Sequence, residues 1–201
     1  FGFKEWILYK KILMTLVLCI GLQKGLYAEK SGFEIYGDVM QILPFAMMAY
    51  SYAIDDMQGV KEQAIGAGAT FLTTHAIKQG FVIVSRSDES NARISQRPNN
   101  GSFDGFPSGH TSFTFSAAGF AQKRYGWKWG VPLSLIGASV GASRVYAERH
   151  TTTQVIAGAI LGFSLSYFLA SKQSKDSQLT AWVDNAENGT QNYHIGYIKR
   201  F

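Results

Sequence analysis

Apolar residues gather at 39–54, 64–77, 111–121, 130–147 and 155–170, with polar and charged stretches between them. Blocks of this length are too long for single strands and read as the cores of helices. Each is shorter than the ~20 residues that cross a bilayer, but polar ends facing a protein interior can lengthen it. The pattern therefore predicts an all-α fold, a compact membrane-embedded helical bundle of about five to six helices. An earlier apolar run at 12–22 follows Lys10 and Lys11. It has the length of a signal-peptide core, so residues 1–28 read as a signal peptide or a first transmembrane helix. Residues 29–171 then form the bundle domain and 172–201 a C-terminal tail. The tail alternates around Asn188-Gly189, which predicts a short β-hairpin.

Composition changes this picture little. Of 201 residues, 46% are hydrophobic, yet the mean hydropathy is only −0.02, so membrane insertion rests on the segments and not on the average. The single cysteine, Cys19, excludes an internal disulfide framework. The net charge of +5 comes from Lys and Arg scattered between apolar blocks, which argues against nucleic acid as a partner. Gly137-x-x-x-Gly141 and Gly158-x-x-x-Gly162 would let the last two helices approach closely.

The basic residues also orient the bundle. Lys123, Arg124 and Lys128 lie between two blocks, and Lys172 and Lys175 follow the last one. The positive-inside rule makes both stretches cytoplasmic and puts 78–107 and 143–154 on the opposite face. That face holds the unusual chemistry, with Arg93, Arg97-Pro98, Pro107-Ser108-Gly109-His110, Ser143-Arg144 and His150. Pro107 suits the first turn of a helix, where its missing N–H has no partner to lose, so a helix is expected to start there. Its N-terminal N–H groups, the Ser108 hydroxyl and a close approach at Gly109 would cradle an anion, with His110 as a titratable neighbour. Arginine forks match phosphate oxygens, and two histidines can divide nucleophilic and general-acid work. His75, within an apolar block, reads as a buried, hydrogen-bonded histidine, and His194 in the tail as a surface one.

The order Arg97-Pro98, Pro107-Ser108-Gly109-His110, Ser143-Arg144-x5-His150 resembles the three-part signature of the type 2 phosphatidic acid phosphatase superfamily. Among its members, the short chain, Thr74–Lys78 and the compact loop 97–110 look most like bacterial lipid A 1-phosphatases. The resemblance implies a lipid phosphate substrate, a bacterial inner-membrane location with the site facing the periplasm, and no metal or other cofactor. It makes His150 the nucleophile that becomes a phosphohistidine and His110 the acid for the leaving oxygen. Arg97, Arg144, Ser108 and the Gly109 N–H would hold the phosphoryl oxygens, with Ser143 behind them. Undecaprenyl diphosphate or phosphatidylglycerophosphate could also fill such a site. A vanadate-dependent haloperoxidase or an inactive anion-binding protein would share the pocket.

Two positions depart from the signature. Ser90 stands where a lysine is usual, leaving Arg93, one turn before Arg97, as the first stand-in and Lys78 as the second. Gln154 replaces the usual aspartate four residues after the nucleophilic histidine. Its carbonyl can orient the His150 ring but brings no charge, while Glu148 is the nearby carboxylate that could supply one.

Overall fold

The computed structural model describes residues 30–173, 177–185 and 191–199. The expected signal peptide or first helix, Cys19 and the Asn188-Gly189 turn lie outside them. The described chain forms α1 (Gly32–Val39), a 3-10 turn (Met40–Ile42), α2 (Leu43–Ala53), α3 (Met57–Ser87), a second 3-10 segment (Glu89–Ser95), α4 (Gly109–Arg124), α5 (Trp127–Tyr146) and α6 (Thr152–Leu169). β1 (Ser177–Asn185) and β2 (Gln191–Lys199) then pair antiparallel, with Asn185 opposite Gln191, the expected hairpin.

Polar caps set the helix starts. Ser31 accepts from Glu34 N at 3.2 Å and Asp56 from Gly59 N at 3.0 Å, each satisfying an N–H with no intrahelical partner. The apolar block 39–54 is divided between the end of α1 and α2, where Pro44 occupies the first turn. The helix expected at Pro107 begins two residues later, at Gly109, because Ser108 is its N-cap and keeps an extended backbone (ψ 120°).

α4 is the central helix and packs against α2, α3, α5 and α6. Ala117, Ala118, Phe120 and Ala121 are fully buried on it, with Met47, Leu133 and Ala170 completing an apolar cluster. The glycine pairs serve this helix more than each other, which corrects the expected α5–α6 contact. A Cβ on Gly162 would stand 1.9 Å from Ser112 O, one on Gly158 2.6 Å from Ser108 O, and one on Gly137 2.8 Å from the Phe115 ring. Only Gly141 of these four faces α6, at 2.5 Å from Val155. At the C-terminal end of α4, buried Arg124 donates to Asp56 (Nε–Oδ2 2.5 Å) and Glu62 (3.0 Å). Glu62 also takes the Ser171 N–H at 2.9 Å, joining the ends of α3, α4 and α6.

α3 and α6 are polar inside and apolar outside. α3 buries Glu62, Gln63, Gly66, Thr70, Thr74 and Lys78, and exposes Ile65, Phe71 and Leu72, the last at 69%. α6 buries Gln154, Gly158, Gly162 and Ser166 at four-residue spacing while Ile160 and Phe168 are 62% and 80% exposed. One described helix, Thr152–Leu169, is long and apolar enough by itself to cross a bilayer, at mean hydropathy 1.4.

Close packing of backbones gives a matched test. Gly162→Ala, which drives a methyl into a main-chain carbonyl, should lower stability by about 2 kcal/mol or more. Gly80→Ala in α3, where a Cβ meets nothing within 4 Å, should be neutral or stabilising by up to about 1 kcal/mol. Thermal unfolding of both variants in detergent checks this; equal melting temperatures would refute the α4–α6 contact.

Candidate active site

α6 opens on Thr151-x-x-Gln154, a capping box in which Thr151 Oγ1 accepts from Gln154 N (3.3 Å) and Gln154 Oε1 accepts from Thr151 N (3.2 Å). This start fixes His150, the residue before the cap, against the core at 3% exposure. Gln154 Oε1 also accepts from His150 Nδ1 at 3.0 Å. Its Nε2 donates to Ile94 O (3.0 Å) and Gln96 O (2.9 Å). Two carbonyl acceptors on the NH2 group leave the amide one orientation, so Nδ1 must carry the imidazole proton and Nε2 keeps its lone pair. Burial, then the Arg97 charge, push the His150 pKa down to about 3, so the ring is neutral across ordinary pH.

The same glutamine organises the preceding loop. Its main-chain carbonyl accepts from Ser108 N at 2.9 Å, and Gly105 lies against it so closely that a Cβ would stand 2.7 Å from the amide. Ser95 Oγ donates to Phe103 O (2.8 Å) and accepts from Phe106 N (2.9 Å). The loop presents Arg97, whose Nε and Nη2 donate to Asp104 at 2.7 and 3.0 Å. Burial opposes the ionised form of Asp104, but Arg97 and the Ser102 hydroxyl hold its pKa down at about 2.

α5 ends in a tight turn in which Glu148 takes a positive φ of 54° and Arg144 O accepts from Arg149 N at 3.0 Å and His150 N at 3.3 Å. This places Arg144, 2% exposed, beside His150. Ser143 is fully buried and accepts from Arg144 Nε at 3.2 Å. α1 lies over this turn: Glu34 O accepts from Arg144 Nη2, Glu34 Oε1 from Arg149 Nε at 2.8 Å, and Asp38 Oδ1 from Arg144 Nη1 at 2.7 Å. Asp38 Oδ1 also pairs with His110 Nε2 at 2.9 Å, and Oδ2 accepts from Lys30 Nζ at 2.7 Å.

Arg97, His110, Arg144, His150 and Gly109 share one cavity of roughly 1230 Å³. It continues into an apolar groove between α2, α3 and α4, lined by Phe45, Ala64, Gly68, Phe71, Leu72 and Phe113. Ser108 is fully buried and sits outside the lining, its hydroxyl accepting from Thr111 Oγ1 at 3.0 Å. The cation beside Arg97 is Lys78, which is buried, lines the cavity and donates to Asp104 O. Arg93 is exposed on the 3-10 segment and does not line the cavity. This reverses the order of the two stand-ins, because α3 runs on to Ser87 and carries Lys78 to the pocket. Glu148 is exposed, and the group on His150 Nδ1 is Gln154. His75 is exposed in the groove with Nδ1 2.9 Å from Phe71 O, not buried as expected. Only the backbone of His194 is described, opposite Trp182. Asp38 and Glu34 carry no motif and were missed; their signal is a Ser31-x-x-Glu34 cap with acids four apart, facing a basic cluster.

Exchanging the amide for a carboxylate tests the coupling. Gln154→Asp should raise the pH at which the His150 ring protonates by about one unit or more, since a carboxylate stabilises the imidazolium. It should also cost about 1–3 kcal/mol for each carbonyl, Ile94 O and Gln96 O, that loses its donor. Glu148→Gln should change neither. Histidine-ring NMR titration and thermal unfolding read both effects, and an unmoved His150 titration in Gln154→Asp would contradict the assigned contact.

A profile of the PAP2 superfamily matches residues 64–177, which takes in Lys78, Arg97, His110, Arg144 and His150. The chain is similar to a lipid A 4′-phosphatase of Helicobacter pylori, 32% identical over 165 residues that cover 82% of this chain and 83% of that one. It is also similar to a lipid A 1-phosphatase of the same organism, 34% identical over 106 residues covering 51% and 52%. No solved structure matches it significantly. With the family's signature residues gathered at one end of a helical bundle, the chain belongs to the PAP2 superfamily.

Proposed function

We propose that the protein is a membrane-embedded lipid phosphatase that removes a phosphate from lipid A through a phosphohistidine intermediate. The observation that carries this reading is the shape of the cavity: cationic where Lys78, Arg97 and Arg144 meet, and apolar where it runs along α2 and α3. An amphiphile with a phosphate head suits both halves. Nε2 of neutral His150 attacks phosphorus while the bond to the leaving oxygen breaks, and His110 gives that oxygen its proton. The three cations and the N-terminus of α4 face the spreading phosphoryl charge. Water then attacks phosphorus, gives a proton to His110, and frees His150 as phosphate leaves.

Membrane embedding is supported by the reversal of polarity in α3 and α6, since helices with apolar outer faces and small or polar inner ones fit a lipid solvent. The site lies at the end of the bundle away from Lys123, Arg124, Lys128 and Lys172, which favours the periplasmic side of an inner membrane. The likeness to the 4′-phosphatase runs along four-fifths of the chain and that to the 1-phosphatase along half, so we place hydrolysis at the 4′ phosphate. The short loop 97–110 favours position 1 as the second reading.

Phosphate release from bisphosphorylated lipid A, with product mapping, tests substrate and position together; activity confined to undecaprenyl diphosphate or phosphatidylglycerophosphate would overturn the proposal. His150→Ala should fall to background without unfolding. His110→Ala should lose roughly 10²-fold or more on an alkyl phosphate but retain slow turnover of an activated aryl phosphate. Equal, total loss on both substrates would contradict the assignment of His110.

A further inference from the structure

Outside the signature, two carboxylates, Glu34 and Asp38, line the cationic end of the cavity, and Asp38 is the one bonded to a histidine ring. Asp38 is carried by the last turn of α1, and α1 is seated by contacts that admit almost no shift. A Cβ on Gly37 would stand 2.0 Å from Ser143 Oγ and 2.6 Å from Arg144 Nη2. Buried Glu34 anchors the helix to Arg144 and Arg149, and the Tyr36 hydroxyl lies 2.6 Å from Ser139 Oγ on α5. The Asp38 side chain is 10% exposed and shares Oδ1 between His110 Nε2 and Arg144 Nη1. Resting on the reading of His110 as the general acid, we infer that Asp38 is its positioning residue: it holds His110 Nε2 so that Nδ1 delivers the proton, and it stabilises the charged ring.

The surrounding charges make this role necessary. Lys30, Lys78, Arg97, Arg144 and Arg149 face the cavity that holds His110, and each disfavours a second cation there. His150 contributes no charge, and the Glu34 carboxylate is engaged by Arg149. Among the described residues, Asp38 is the carboxylate bonded to the His110 ring. Burial works against its ionisation, but His110, Lys30 and Arg144 together keep its pKa far below the usual carboxylate range, so it stays an acceptor at any working pH. With Nε2–H donating to Asp38, the exchangeable proton sits on Nδ1. It passes to the leaving oxygen as the P–O bond breaks and is restored by the water that cleaves the P–N bond.

The test compares Asp38→Asn with the parent and with Asp38→Glu. On an alkyl phosphate, Asp38→Asn should lose roughly 10²-fold in kcat, and the alkaline limb of its kcat/KM profile should move to lower pH, since the ring gives up its proton more readily. On p-nitrophenyl phosphate, whose leaving group needs no acid, the loss should be within about threefold. Asp38→Glu should restore part of the alkaline limb. Equal loss on both esters, an unmoved alkaline limb, or a change confined to KM would overturn the role, because those outcomes mean that Asp38 serves only Arg144 or the fold. Ring NMR of His110 gives a readout that needs no turnover: Asp38→Asn should lower the pH of its titration, and an unchanged titration overturns the inference. Failure of the phosphohistidine reading is separate and appears as turnover that survives in His150→Ala.

Discussion

The site depends on one side-chain amide. Gln154 is fully buried, caps α6, binds His150 Nδ1, and ties down the carbonyls of Ile94 and Gln96. Its main-chain carbonyl holds Ser108, the cap of α4. All three parts of the signature therefore meet at one residue. An aspartate in its place would bring charge but has no N–H to donate, so it could not hold the loop in this way. Here an amide orients the ring while burial and the Arg97 charge keep it neutral, and the loop that carries Arg97 is fastened by the same amide.

A second constraint is electrostatic. Cations gathered for an anion repel one another, and a cavity that is partly buried screens them poorly. The fold answers with an oxygen acceptor placed behind each cation. Asp104 holds Arg97 in a two-pronged pair and its carbonyl takes Lys78, while Glu34 and Asp38 hold Arg149, Arg144 and Lys30. Each carboxylate fixes a donor in place yet leaves the pocket with an excess of positive charge. At the far end of α4, Arg124 is satisfied in the same manner by Asp56 and Glu62, so ion pairs pin that end of the central helix, while close backbone contact at Gly158 and Gly162 packs α6 against its N-cap Ser108 and its first turn at Ser112.

The helical character of the chain, the C-terminal hairpin and the grouping of Arg97, His110, Arg144 and His150 are legible in the residues alone. Periodic apolar blocks and motif spacing are local properties, and they survive whatever the helices pack against. The spacing of four between His150 and Gln154 spans the start of α6, where the Gln154 side chain reaches back past the Thr151 cap to the ring. The tertiary structure alone decided which lysine or arginine stands beside Arg97, because that depends on how far α3 continues beyond its apolar block. It also decided that α4 is central, since a short block rich in Ser and Thr looks the same in sequence whether lipid or protein surrounds it. Most of all it revealed Asp38: a carboxylate on a short amphipathic helix has no spacing rule linking it to an arginine 106 residues away, and only the close approach at Gly37 brings the two together.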